Sequence, residues 1–211
     1  MSLEIVSMQL GPAFTNAYLV GDSEAKTAVV IDPAWDGGSI LEQAKKRDWE
    51  IGAIWLTHAH FDHLGGLAEV AACCDPPLPV AMHPDDLWLW QQQGMGGLFG
   101  FDIDAGPEPS IQLQHQQRLS LAGYEFEVRH APGHTPGHVM FYCSQEKVMF
   151  VGDVIFENGI GRTDLPRGDY PTLLDSIHSQ VMTLPDETRL LCGHGGETTV
   201  GREREENPFI Q

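Results

Sequence analysis

The sequence predicts one domain of mixed α and β structure, α/β with α+β character, and three observations carry that expectation. Short apolar runs recur, bounded by glycine, proline or aspartate, as buried strands are. Stretches with apolar residues at helical spacing lie between them. Histidine or aspartate beside glycine follows one apolar run after another. A chain of 211 residues, 42% hydrophobic, holds enough apolar material for one core, so residues 1–211 are expected to form a single domain.

In chain order, Asn16–Val20 and Ala28–Ile31 read as strands joined by a hairpin, closed by Gly21-Asp22 and Asp32-Pro33. Ser39 is a candidate cap for a helix over Ile40–Arg47 that buries Ile40, Leu41 and Ala44. Ile51–Leu56 is an apolar strand, and Leu64, Leu67, Val70 and Ala71 give the next stretch a helical face, with His63 at its start. A strand over Pro79–Met82 and a helix over Asp85–Gln93 lead into Gly94–Phe101, glycine-rich yet apolar. That segment reads either as a surface loop whose Trp88, Trp90, Phe99 and Phe101 patch the core, or as an apolar wall or lid beside a pocket. Tyr124, Phe126 and Val128 alternate with charged residues, the period of a strand with one buried face. Val139–Tyr142 and Val148–Val151 are two more strands, Pro171–Val181 a helix, and Leu190-Leu191 the end of a last strand. The tail from Gly201 reads as a brief helix with solvated charges and Phe209 packed back on the domain.

Charge and composition exclude several partners. A formal net charge of -18 disfavours unspecific binding to nucleic acid or to an anionic membrane. No run reaches the roughly 20 apolar residues of a membrane span. Met1–Gly21 lacks the basic start and apolar core of a secretory signal, so a cytoplasmic protein is expected. Cys73, Cys74, Cys143 and Cys192 have no CxxC spacing and are too sparse for a disulfide framework; they are expected to be buried thiols.

The densest chemistry is Thr57-His58-Ala59-His60-Phe61-Asp62-His63, delivered by the strand before it. Imidazole nitrogen and carboxylate oxygen suit zinc and similar divalent ions. His134 in Gly133-His134-Thr135-Pro136-Gly137-His138, Asp153 after Val151-Gly152, and His194 in Gly193-His194-Gly195 repeat the pattern of ligand beside glycine at a strand end. A single such histidine is usually structural; the recurrence argues for a metal centre. His138 reads as a supporting or turn residue, and His83, His115, His130 and His178 as ordinary histidines.

These motifs, in this order, resemble those of the metallo-β-lactamase superfamily, and within it the glyoxalase II-like hydrolases. The resemblance implies a four-layer αββα sandwich with two divalent ions, zinc by preference and iron or manganese as alternatives. Carried over residue by residue, it puts His58, His60 and His134 on one ion, Asp62, His63 and His194 on the other, and Asp153 between them, with Asp62 also orienting the attacking water. It implies hydrolysis of a small acyl thioester such as S-lactoylglutathione. The segment Gly159-Ile160-Gly161-Arg162-Thr163-Asp164 is similar to a Gly-Arg-x-Asp stretch of the same proteins and of persulfide dioxygenases. Arg162 is therefore either a binder of substrate carboxylate or a partner of Asp164 that shapes the loop. In the dioxygenases a cysteine tends to stand where this chain has Ile160, which leans toward the hydrolase. After His194 only Gly195–Gln211 remain, short of the helical substrate domain of full-length glyoxalase II, so a compact subtype is the closer likeness. The alternatives are a mononuclear iron persulfide dioxygenase using His58, His134 and Asp153, a lactone hydrolase, and a metal-binding interaction module without catalysis.

Overall fold

The protein was analysed as a computed structural model that describes residues 3–210. Contacts within the chain gather into two compact units, Met1–Leu113 with Ser120–Tyr124, and Gln114–Leu119 with Glu125–Gln211.

The first unit contains a six-stranded sheet of β1 (Leu3–Leu10), β2 (Thr15–Asp22), β3 (Thr27–Ile31), β4 (Glu50–Trp55), β5 (Val80–Met82) and β6 (Ile111–Gln112), paired in that order. β1, β2 and β3 are antiparallel, whereas β3 through β6 run parallel. Parallel strands leave the sheet at the same edge, so the segments after β3, β4 and β5 open side by side there. α1 (Gly37–Lys46) crosses from β3 to β4 and buries Ile40 and Ala44 as expected. Its cap is Asp36 rather than Ser39. The Asp36 carboxylate accepts from the Ser39 backbone N–H at 3.4 Å and from its hydroxyl at 2.7 Å, which makes Ser39 the capped residue.

The helix expected from His63 is interrupted. α2 (Phe61–Leu64) starts after His60, and α3 (Leu67–Ala71) resumes beyond Gly65-Gly66. A Cβ on Gly65 would overlap the Trp35 ring and one on Gly66 would stand 2.7 Å from the Pro33 carbonyl, so the pair admits the β3–α1 segment at close range. His63 thus lies inside α2, not at its start. The expected helix over Asp85–Gln93 resolves into a 3-10 turn (Pro84–Asp86), α4 (Leu87–Gln91) and a further 3-10 stretch (Gln93–Phe99) kinked at Gly94 and Met95.

The second sheet has the order β14-β13-β10-β9-β8-β7, formed by β7 (Arg118–Leu121), β8 (Tyr124–His130), β9 (Val139–Cys143), β10 (Val148–Gly152), β13 (Arg189–Cys192) and β14 (Thr198–Thr199). β10 and β13 are its parallel pair, and a small hairpin of β11 (Ile155–Phe156) and β12 (Gly159–Ile160) follows β10. α5 (Tyr170–Ser176) is capped by the Asp169 side chain and has Pro171 in its first turn, and the expected helix continues to Val181 as a π-helical turn. α6 (Val200–Glu206) closes the chain. The tail departs from expectation: Phe209 is 46% exposed, Ile210 enters the apolar cluster instead, and Glu203 is fully buried. The cysteines divide, Cys143 and Cys192 buried and Cys73 and Cys74 exposed, all four as thiols. Among the described residues no helix is long and apolar enough to cross a membrane.

Candidate metal centre

In the first unit the parallel pairing of β3 and β4 explains the site. Ile31 sits opposite Trp55, so Asp32 and Thr57 leave adjacent strand ends together. The buried Asp32 carboxylate accepts from the Thr57 backbone N–H at 2.7 Å, the Thr57 hydroxyl at 2.6 Å and His63 Nδ1 at 2.9 Å. The Thr57 hydroxyl has one proton, committed to Asp32, so at its 3.0 Å contact with His58 Nδ1 it accepts. Both histidines therefore carry hydrogen on Nδ1 and the lone pair on Nε2, the form that binds a metal. Asp32, His58 and His63 cluster tightly enough to suggest an ion among themselves. Hydrogen bonds fill that space, which makes Asp32 a support for ligands.

The motif is held from other sides too. The Asp86 carboxylate accepts from the Ala59 N–H at 3.2 Å, and the Thr15 hydroxyl donates to Asp62 Oδ2 at 2.8 Å. That oxygen lies 3.6 Å from His63 Nε2. Two ligands each about 2.1 Å from one ion at a tetrahedral angle stand about 3.4 Å apart, so Asp62 and His63 are spaced to share one. His58 and His60 lie edge to face at 4.9 Å between ring centres. Over Phe61 pack Phe99 and Phe101, each 5.2 Å away ring to ring. A Cβ on Gly94 would overlap the Phe61 backbone nitrogen, and Gly94 has φ +60. The core-patch reading holds for Trp88, Trp90 and Phe101, while Leu98 and Phe99 remain exposed and Phe99 stacks on Phe61 of the motif.

In the second unit the parallel pair β10 and β13 does the corresponding work. The Gly193 N–H donates to the Gly152 carbonyl at 2.8 Å, so Asp153 and His194 emerge together. His134 Nε2 and His194 Nε2 each lie 3.5 Å from Asp153 Oδ2, placing one carboxylate oxygen between two imidazoles at ligand spacing. His134 Nδ1 donates to the Arg162 carbonyl at 2.7 Å, which again leaves the lone pair on Nε2. Gly133 has φ +131 and no room for a side chain against Leu173, while its carbonyl accepts from the Asp169 N–H at 2.8 Å. The His134 loop is thereby fixed to the start of α5. His138 Nε2 accepts from the Asp153 N–H at 3.0 Å, so that nitrogen positions Asp153 and is not offered to an ion.

Arg162 turns its fork on Asp164, with Nε and Nη2 at 2.7 and 2.8 Å from the two carboxylate oxygens. The guanidinium holds the Asp164 carboxyl down at about 2. The loop-shaping interaction is thus present, and the half-exposed fork remains at the surface. His83 caps the turn at Asp85, and His115 and His130 bond within the second unit; against the ordinary role expected of them, His83 and His130 each belong with Asp85 to a further cluster of possible ligand atoms. Thr15, Asp32 and Asp86 escaped the sequence reading, and only Asp32 left a trace there, as the acid ending the Ala28–Ile31 run. A cleft of about 730 Å³ lined by Trp49, Ile51, Cys73 and Cys74 contains none of the candidate ligands.

The donor set suits divalent ions: neutral imidazoles fixed by Nδ1 hydrogen bonds, carboxylates at ligand spacing, and glycines where backbone crowds close. Comparison with known proteins agrees. The family model described as the metallo-beta-lactamase superfamily matches residues 10–194. A probable metallo-hydrolase of Bacillus subtilis is 39% identical, covering 96% of this chain and 95% of the relative. A hydroxyacylglutathione hydrolase, GloC, of Haemophilus influenzae is 36% identical over 100% of this chain and 98% of its own length. Among solved structures, the BLEG-1 B3 metallo-beta-lactamase superposes with TM-score 0.90 and 38% identity, covering 98% of this chain and 99% of its own. TTHA1623 in a di-iron-bound form gives 0.88 and 40%, covering 97% and 99%.

Proposed function

Because the chain belongs to the metallo-β-lactamase superfamily, whose members are metal-dependent hydrolases, we propose that it hydrolyses a small acyl thioester of the S-lactoylglutathione type with two bound divalent ions. The fold class expected from the motifs is that of the superfamily, mixed α/β with two six-stranded sheets. The dinuclear reading is supported by one observation: Asp153 Oδ2 stands 3.5 Å from both His134 Nε2 and His194 Nε2, a spacing compatible with a carboxylate shared by two ions. On this reading His58, His60 and His134 hold one ion, Asp62, His63 and His194 the other, in one domain that includes both units. When bound, the ions, zinc by preference, would supply Lewis acidity toward an acyl carbonyl and an ionised water near neutral pH.

The chain's own groups do the rest. Asp32 and Thr57 keep His58 and His63 in the form that presents Nε2, and the Arg162 carbonyl does the same for His134. Asp62, steadied by Thr15, orients the attacking water. Phe99, stacked on Phe61 of the motif, would offer an apolar face to the acyl group. Arg162 would take a substrate carboxylate in competition with Asp164. Four thiols, two of them exposed, suit a reducing cytoplasm. GloC, a hydroxyacylglutathione hydrolase, supports a hydroxyacylglutathione substrate.

The test is thiol release from S-lactoylglutathione by metal-loaded protein, run beside a β-lactam, a lactone and glutathione persulfide. Thiol release that vanishes on chelation and returns with metal supports the proposal. Oxygen uptake with the persulfide at one iron per chain overturns it, as does turnover of the lactone or β-lactam alone.

A further inference from the structure

The C-terminal helix lies against a hairpin that joins the candidate ligand Asp153 to Arg162, whose carbonyl supports His134, and the joint is a buried carboxylate. Glu203 is fully buried on α6, and its oxygens accept from the Thr198 hydroxyl, the Asn158 N–H at 2.9 Å and Asn207 Nδ2 at 2.8 Å. Asn207 also donates to the Gly159 carbonyl at 3.0 Å. The hairpin is thereby tied to α6 at the turn residue Asn158 and at Gly159, the first residue of β12, and Arg202 adds an ion pair to the other turn residue, Glu157, at 2.7 Å. Surface helices rarely bury a carboxylate among this many donors unless its position matters, because desolvation is costly.

The hairpin so held runs between a candidate ligand and the support of another. β11 begins just after Asp153 and β12 ends just before Arg162, whose carbonyl accepts from His134. Between them the Gly161 N–H donates to the Val154 carbonyl at 3.2 Å, and a Cβ on Gly161 would overlap the Asp153 carbonyl oxygen. Gly161 couples the two ends closely, so a displaced hairpin at Asn158 and Gly159 moves the Arg162 carbonyl and the backbone at Asp153 together.

We propose that Glu203 and Asn207 are positioning residues, clamping the β11–β12 hairpin so that the Arg162 carbonyl orients His134 and Asp153 keeps its place between His134 and His194. This rests on the metal reading above. Supports of metal ligands are typically worth about 10- to 100-fold in affinity, and the clamp acts through one such support.

The experiment is Co(II) titration of metal-free protein, following the visible ligand-field bands, for wild type, Glu203→Gln, Asn207→Ala and Val200→Ala. Val200 is buried on the same helix but has no polar link to the hairpin, so its variant controls for loosening of α6. The clamp predicts altered bands and about tenfold weaker Co(II) binding in Glu203→Gln and Asn207→Ala, with wild-type bands and affinity in Val200→Ala at matched loss of thermal stability. Unchanged bands and affinity in the first two, or an equal change in Val200→Ala, overturns it. Wild-type protein that binds no Co(II) fails the metal reading itself, a separate result. Should Glu203→Gln not fold, Asn207→Ala decides alone.

Discussion

Asp32→Asn removes one charge and almost no volume from the network behind His58 and His63. Three donors converge on the carboxylate at 2.6, 2.7 and 2.9 Å. An amide has one acceptor oxygen. With that oxygen toward the Thr57 N–H, the new amide hydrogens face the Thr57 hydroxyl and His63 Nδ1, and His63 can satisfy them only by moving its proton to Nε2, the nitrogen meant for the ion. With the amide reversed, its hydrogens face the buried Thr57 N–H. One buried donor without an acceptor costs about 1–3 kcal/mol, and losing the charge weakens the remaining bonds, which gives about 2–4 kcal/mol in metal-free protein. At an m-value of about 2 kcal/mol/M the urea midpoint falls by about 1–2 M. Metal affinity should fall about 10- to 100-fold. Urea unfolding of the metal-free protein and a competitive zinc titration measure the two effects. A midpoint and an affinity both indistinguishable from wild type would refute the hydrogen-bond argument.

Other outcomes follow from the same geometry. Gly94→Ala must fit a Cβ against the Phe61 backbone at φ +60, and unfolding should show a loss of about 2–4 kcal/mol, with reduced metal binding beside it. His60→Ala and Asp153→Ala should lose bound metal and thiol release, measured by elemental analysis and assay, while the exposed Lys45→Ala retains both. Asp164 has a depressed pKa, so its pairing with Arg162 is fully present above the ordinary carboxylate value and is lost as pH falls toward about 2. In Arg162→Ala, NMR titration should find the Asp164 midpoint raised toward the ordinary carboxylate value of about 3.9. Burial pushes the Cys192 thiol up, and Cys143 in the same direction. A chromogenic disulfide should therefore label Cys73 and Cys74 in the native protein and reach the other two only on unfolding.

What the sequence made legible was local. His58, His60, Asp62 and His63 announce themselves because one short segment follows one apolar strand, and Asp153 and His194 because each ends a run and touches glycine. The supports behind them are not local. Asp32 meets Thr57 only because β3 and β4 pair in parallel, 25 residues apart, and no pattern within either segment encodes that. Arg162 was singled out for its side chain, yet a backbone carbonyl, which any residue carries, is what holds His134. The break between α2 and α3 depends on Trp35 arriving from another segment, and Gly65-Gly66 in a helical pattern was its one trace. Glu203 looked like one more charge on a polar tail, because its partners Asn158 and Thr198 lie in other elements.

Metal content measured together with activity decides whether two divalent ions perform thioester hydrolysis. Wild-type protein titrated with zinc from the metal-free state should take up two ions per chain, with thiol release from S-lactoylglutathione rising as they bind. Two ions bound without thiol release, or full thiol release from metal-free protein, would contradict it.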